Sequence, residues 1–176
     1  MNPSPRLRLE YYQKQLKIAY EESPWHSFKH VMKGVKPEEA AWKPAHYKGF
    51  PWMSGNILDI AFHLGGDTSY QLSNALGDKS VTWEVLTAQF KARGGDINAA
   101  VAMAEESFSY LQKTLDTLTD TDLTRRFKTP DGKKEQSIEE LLQMLLEHYF
   151  YHSGQIMYIR CLWEGERKSA KASPVL

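Results

Sequence analysis

The chain has 176 residues, 41% of them hydrophobic, which suits one domain with a sizeable core. Its 22 basic and 22 acidic side chains cancel, so no whole-chain field draws it to nucleic acid or an anionic membrane, and a small molecule or a protein is the expected partner. The one cysteine, Cys161, excludes an intramolecular disulfide and a thiolate-rich zinc cluster, so any metal must rely on histidine and carboxylate.

Leu9, Tyr12, Leu16, Ala19 and Tyr20 recur with helical spacing and predict a first helix over 7–22. Ser23 and Pro24 suit the cap and first position of a second, shorter helix running to about Lys33, which Gly34 stops. Between Pro37 and Pro51, prolines, aromatics and Gly49 predict an irregular connection with a short helical start. Ser54 can cap a helix that reaches Leu76, before Gly77. A short amphipathic helix is expected from Thr82 to Ala92, ending at Gly94 and Gly95, and Asp96 then caps a long segment from Ala99 to about Leu118. Pro130, Asp131 and Gly132 form a turn whose flanks can pair as a brief hairpin. Ser137, Ile138, Glu139 and Glu140 make a capping-box pattern opening the last helix, which is expected to end near Trp163. Residues 166–176 read as a loose tail, leaving one domain over 1–165. The N-terminal MNPSPRLRLE lacks a signal peptide's apolar stretch, and no run approaches the ~20 apolar residues of a membrane span, so a soluble, cytoplasmic protein is expected.

The fold class expected is therefore all-α: a four-helix bundle with long or irregular connections and extra short helices, whose core can hold a metal between facing helices. The last helix shows where. At about 100° per residue, Leu141, Met144, Leu145, His148, His152, Gln155, Ile159 and Leu162 project to one side, so two imidazoles interrupt an apolar stripe. Buried imidazoles must be hydrogen-bonded or metal-bound, and residues four apart on a helix can close on one ion. His63, on the helix after Ser54, shares a polar line with Asn56, Asp59, Asp67 and Tyr70 beside an apolar face. With His148 and His152 it would supply three nitrogen ligands and leave coordination positions open, as in a catalytic zinc site. Hydrogen-bonded core histidines remain the alternative. His26 and His30 repeat the same spacing beside Trp25 and are placed outside the ligand set, although His30 could line the cavity, and His46 is expected in a solvated loop. Glu147 lies about 100° around the helix from His148 and is expected in solvent or in an inter-helix pair.

The string from Glu147 to Ile156 (EHYFYHSGQI) resembles the EHxxxHxGQI signature of DinB-like and YfiT-like proteins. Pro24 with Trp25, Ala41 with Trp42 and Pro44, Ser54 leading to His63, and the turn from Thr129 to Gly132 follow that family's order, so the resemblance covers most of 24–160. It implies a four-helix bundle with one divalent metal, zinc or nickel, on His63, His148 and His152, and it leaves a homodimer open as the assembly. Family members include metal-dependent transferases that use low-molecular-weight thiols, and others assigned to the hydrolases; the family's DNA-damage name does not imply DNA binding. By this reading the cation would stabilise a thiolate for attack on an electrophilic carbon. A hydrolase would use the same ion to generate hydroxide, and a third alternative is a non-catalytic protein whose metal stiffens the bundle. Asp59 and Asp67 could orient His63 or act as base, Gln155 could hydrogen-bond a ligand or substrate, and Arg160 could bind an anionic substrate or form a surface ion pair. Cys161 is expected in the core or at its border rather than as a nucleophile.

Overall fold

A computed structural model describes residues 5–45 and 55–172, with side chains through Ser169. Helix α1 (Leu7–Lys17) buries Leu9 and Leu16 and continues as one π turn, Ile18–Glu22, that carries Ala19 and Tyr20 into the core. The predicted Ser23 cap sits elsewhere. Ser23 accepts a hydrogen bond from the His26 N–H (3.1 Å) in a turn, and Ser27 instead caps α2 (Phe28–Met32) by accepting from the His30 N–H. Pro37 opens the short α3 (Pro37–Ala41). His46 and the predicted Ser54 cap lie outside the described residues; the cap of α4 (Ile57–Leu76) is Asn56, whose side chain accepts from the Asp59 N–H at 2.7 Å. Thr82 caps α5 (Trp83–Ala92), and Asp96 caps α6 (Ile97–Asp116), as their residue types favour. Between them Gly94 and Gly95 take φ of 103° and 63°, a left-handed pair open to glycine at little cost. The hairpin forms as β1 (Arg126–Lys128) against β2 (Glu135–Ser137), with Phe127 opposite Gln136.

Helix α7 (Ile138–Ala172) starts on the predicted capping box: the Glu140 N–H donates to the Ser137 hydroxyl at 3.1 Å, and the Ser137 N–H donates to the Glu140 carboxylate. It does not stop at Trp163. The helix runs through Gly165 to Ala172, so most of the stretch expected as a loose tail is helical; Glu166, Arg167, Lys168 and the alanines are good helix formers that outweigh one glycine.

The bundle is made by α1 with its π turn, α4, α6 and α7, giving the expected all-α architecture with the small hairpin at its edge. Gly65 sets the closest helix pair: a Cβ there would lie 2.7 Å from the Ala104 Cα, so α4 and α6 meet backbone to backbone. One end of the core is aromatic and dry. Tyr20 stacks on Phe108 (3.9 Å between centroids, 10°) and meets Tyr149 edge-on, all three buried. The Thr68 hydroxyl donates to the Leu64 carbonyl at 2.9 Å and so accepts from the Tyr149 hydroxyl at 3.1 Å. Burial of that phenol thus leaves no polar atom unmet.

Candidate metal centre

Helices α4 and α7 face each other, and each brings imidazole to the same point. His148 and His152 are one turn apart on α7, and His63 reaches across from α4. His148 Nε2 lies 2.8 Å from His152 Nε2 and 3.1 Å from His63 Nε2. The three rings offer ligand atoms that all fall within 4.8 Å of one another. Burial pulls the His63 pKa down to about 4 and that of His148 to about 3, with neighbouring imidazoles adding to each, and burial lowers His152 as well. All three rings are therefore neutral at pH 7, the state a metal ligand requires.

Partners behind the rings fix which nitrogen carries the proton. The Gln155 amide oxygen lies 2.7 Å from His152 Nδ1, and the Gln155 amide nitrogen donates to the Tyr151 hydroxyl at 3.2 Å. A carbonyl oxygen only accepts, so His152 is protonated at Nδ1 and its Nε2 presents a lone pair. On the other ring, Asp67 Oδ2 stands 3.5 Å from His148 Nδ1, too far for a good hydrogen bond, and that buried nitrogen has no other partner. Protonation at Nδ1 facing the carboxylate leaves the His148 Nε2 lone pair pointing at that of His152. Two lone pairs at 2.8 Å repel, and a shared cation removes the conflict. Ligands of one ion bonded at about 2.1 Å sit roughly 3.0–3.4 Å apart, so a small spreading of the 2.8 and 3.1 Å separations fits this donor set to a divalent metal. Asp67 is itself buried, and desolvation pushes its carboxyl up to about 6.

A cavity of about 760 Å³ opens beside His63, with Asp59 and Asp67 among its polar walls and Phe62, Trp83 and Phe90 among its apolar ones. The ring of Trp83 lies within 5° of parallel to that of His63, with centroids 5.7 Å apart. It is seated where α4 has Gly66, since a Cβ there would lie 2.9 Å from Trp83 Cζ3. Sequence reasoning does not find Trp83, Phe62 or Phe90. The available signal is the Gly65–Gly66 pair inside a helix that has no need of glycine, each residue permitting one close approach.

The other expected residues divide. Gln155 reaches the histidine cluster, and so does Asp67, but toward His148 rather than the expected His63. Asp59 lines the cavity. Arg160 is not at the cavity. Its guanidinium donates to Glu39 at 2.8 Å and to the Val31 and Lys33 carbonyls, tying α7 to α2 and α3 in a half-buried ion pair. His26 and His30 are both exposed and neither lines the cavity; His26 borders a separate hollow with Trp25 and Phe150. Cys161 is exposed, not at the core border as expected, because α7 turns that position to solvent. Glu147 is exposed too and accepts from the Gln143 amide at 2.8 Å.

Helical bundle and histidine cluster together define a class of protein that the family comparison identifies. The model of the DinB superfamily matches residues 21–156, and the chain belongs to that superfamily. No curated protein matches the chain. Its three clustered histidines can hold a metal ion. No helix among the described residues is long and apolar enough to cross a membrane.

Proposed function

We propose that the chain is a metal-dependent transferase, in which His63, His148 and His152 hold one divalent cation, zinc or nickel, and a small thiol is activated for attack on an electrophilic carbon. The observation that carries this reading is the convergence of three neutral imidazoles, one of which, His63, also lines a cavity of about 760 Å³. When bound, the cation supplies Lewis acidity that lowers a thiol's pKa and holds the thiolate. Gln155 holds the Nδ1 side of His152, Asp67 stands 3.5 Å behind His148, and burial keeps the rings from being protonated at neutral pH. The reaction balances as a substitution: the thiol proton passes to solvent, a carbon–sulfur bond forms, and the leaving group departs with its bonding pair. Three features support an open coordination site over a purely structural one. Among the described residues the ligand cluster stops at three, Asp67 stands behind His148 rather than at the shared Nε2 point, and the cavity adjoins His63.

The test is conjugation of a small cellular thiol to a haloalkane, followed by chromatography, with zinc-loaded protein, nickel-loaded protein and metal-free protein. The expected result is product formation above background only with metal, and loss of that rate in His63→Ala. Equal rates with and without metal contradict the proposal.

A further inference from the structure

We infer that the cavity beside His63 is the binding site of a flat aromatic electrophile, with Trp83, Phe62 and Phe90 as the residues that select it. The inference rests on the transferase reading for its chemistry and deepens it by naming the second substrate's class. Among the described residues, two of the aromatic clusters stand in opposite states. Tyr20, Phe28, Phe108 and Tyr149 are buried and satisfy one another in the core. Phe62, Trp83 and Phe90 are only partly buried, and all three line the cavity. Their rings are nonetheless ordered: Phe62 stacks on Phe90 at 4.4 Å and 24°, and Trp83 stands edge-on to Phe62 at 6.1 Å and 74°.

Such rings, partly buried beside a candidate metal centre, have the geometry to take another ring by stacking or edge contact. Gly66 makes room for the arrangement, because Trp83 occupies the space a side chain there would fill. At about 760 Å³, the cavity lies within the roughly 300–1,000 Å³ of small-molecule sites, and its lining sets the three aromatic rings beside polar groups that include Asp59, Asp67 and Lys91. Trp83 runs nearly parallel to His63, so a ring resting on this aromatic wall keeps its substituents close to the histidine cluster. The electrophilic carbon is one attached to the ring and bearing a leaving group, and a benzylic halide serves as its probe. The thiolate sulfur bonds to that carbon, halide leaves with the bonding pair, and the thiol proton goes to solvent.

Equilibrium dialysis of the full chain with naphthol and with decahydronaphthol, its saturated and nonplanar counterpart, tests binding without turnover. Naphthol should bind about two- to tenfold more tightly, the range expected for aromatic pairing beyond area burial. Trp83→Ala should erase that preference, and Thr87→Trp, which places a ring in the cavity, should weaken naphthol binding at least tenfold, both with metal content unchanged. Equal binding of the two alcohols by the wild-type chain overturns the inference whatever the variants do. A turnover arm compares chloromethylnaphthalene with chloroacetamide and the same thiol. Metal-dependent turnover with no aromatic preference overturns the aromatic site and leaves the transferase reading intact. Naphthol preference without any turnover supports the aromatic site and removes the transferase reading.

Discussion

Neighbouring residues on the same two helices do opposite things. Thr68 and Tyr149 meet between α4 and α7 with every polar atom satisfied, at 2.9 and 3.1 Å, in a dry aromatic core. Asp67 and His148, one residue before each, meet at 3.5 Å with His148 Nδ1 lacking a good partner and its Nε2 crowded by two other imidazoles. A step of about 100° around each helix separates a pair that stabilises the fold from a pair that holds unspent binding capacity. Interior polar groups left short of partners cost stability, and a ligand that completed them would offset that cost.

The sharpest way to break this contrast is to remove one member from each region. Phe108→Ala deletes the ring stacked on Tyr20 and should cost about 3–5 kcal/mol in urea unfolding, while the folded variant still binds one zinc per chain. His148→Ala should do the reverse, weakening zinc binding by more than about 100-fold with a small change in metal-free stability. If both variants lose stability and metal in parallel, the two regions are not separable. Asp67→Asn comes next: it keeps the shape but removes the carboxylate behind His148, and a competition titration should show about 10- to 100-fold weaker zinc binding.

A pH series sharpens the same division. Well above a pH of about 6.5 the three histidines are neutral in folded and unfolded chains and add little to the pH dependence. Below that, the unfolded chain takes up protons that the fold refuses, since His63 is held at about 4 and His148 at about 3. Stability of the metal-free protein should therefore fall as pH drops from 6.5 toward 4. Asp67 works the other way, because its carboxyl, pushed up to about 6, is protonated in the fold before it is in the unfolded chain. Three imidazoles against one carboxyl leave a net loss. In urea melts of metal-free protein between pH 7 and 4.5, His63→Leu should show a shallower decline than wild type; parallel slopes would contradict the buried-neutral histidine account.

The two regions are not equally legible in the sequence. His148 and His152 stand out because imidazole inside an apolar helical stripe is costly, His63 by its polar line beside an apolar face, and the cap residues and turn glycines place most helices within a few residues. What the pattern does not supply is contact between elements distant in the chain. Arg160 reads as a cation on the face of α7, and only folding brings Glu39 and two carbonyls to it. Trp83 reads as the first residue of a minor helix, with nothing local to say that it lands on Gly66 and beside His63. Helix α7 outruns its expected end because the helix formers that follow Gly165 outweigh the cost of that one glycine.

Two smaller effects mark the limits of the site. Arg160→Ala should cost about 2 kcal/mol through the lost charged hydrogen bonds and leave zinc affinity unchanged. Cys161→Ser, at an exposed position, should stay within about 0.5 kcal/mol of wild type and retain any metal-dependent activity, which an assay of the two proteins side by side would check.

Zinc X-ray absorption on the loaded full chain tests the central claim most directly. Three imidazole shells with nitrogen at about 2.0–2.1 Å are predicted, falling to two in His63→Ala. A first shell of oxygen alone, or a spectrum that His63→Ala leaves unchanged, would contradict the assignment of His63, His148 and His152 as the ligands.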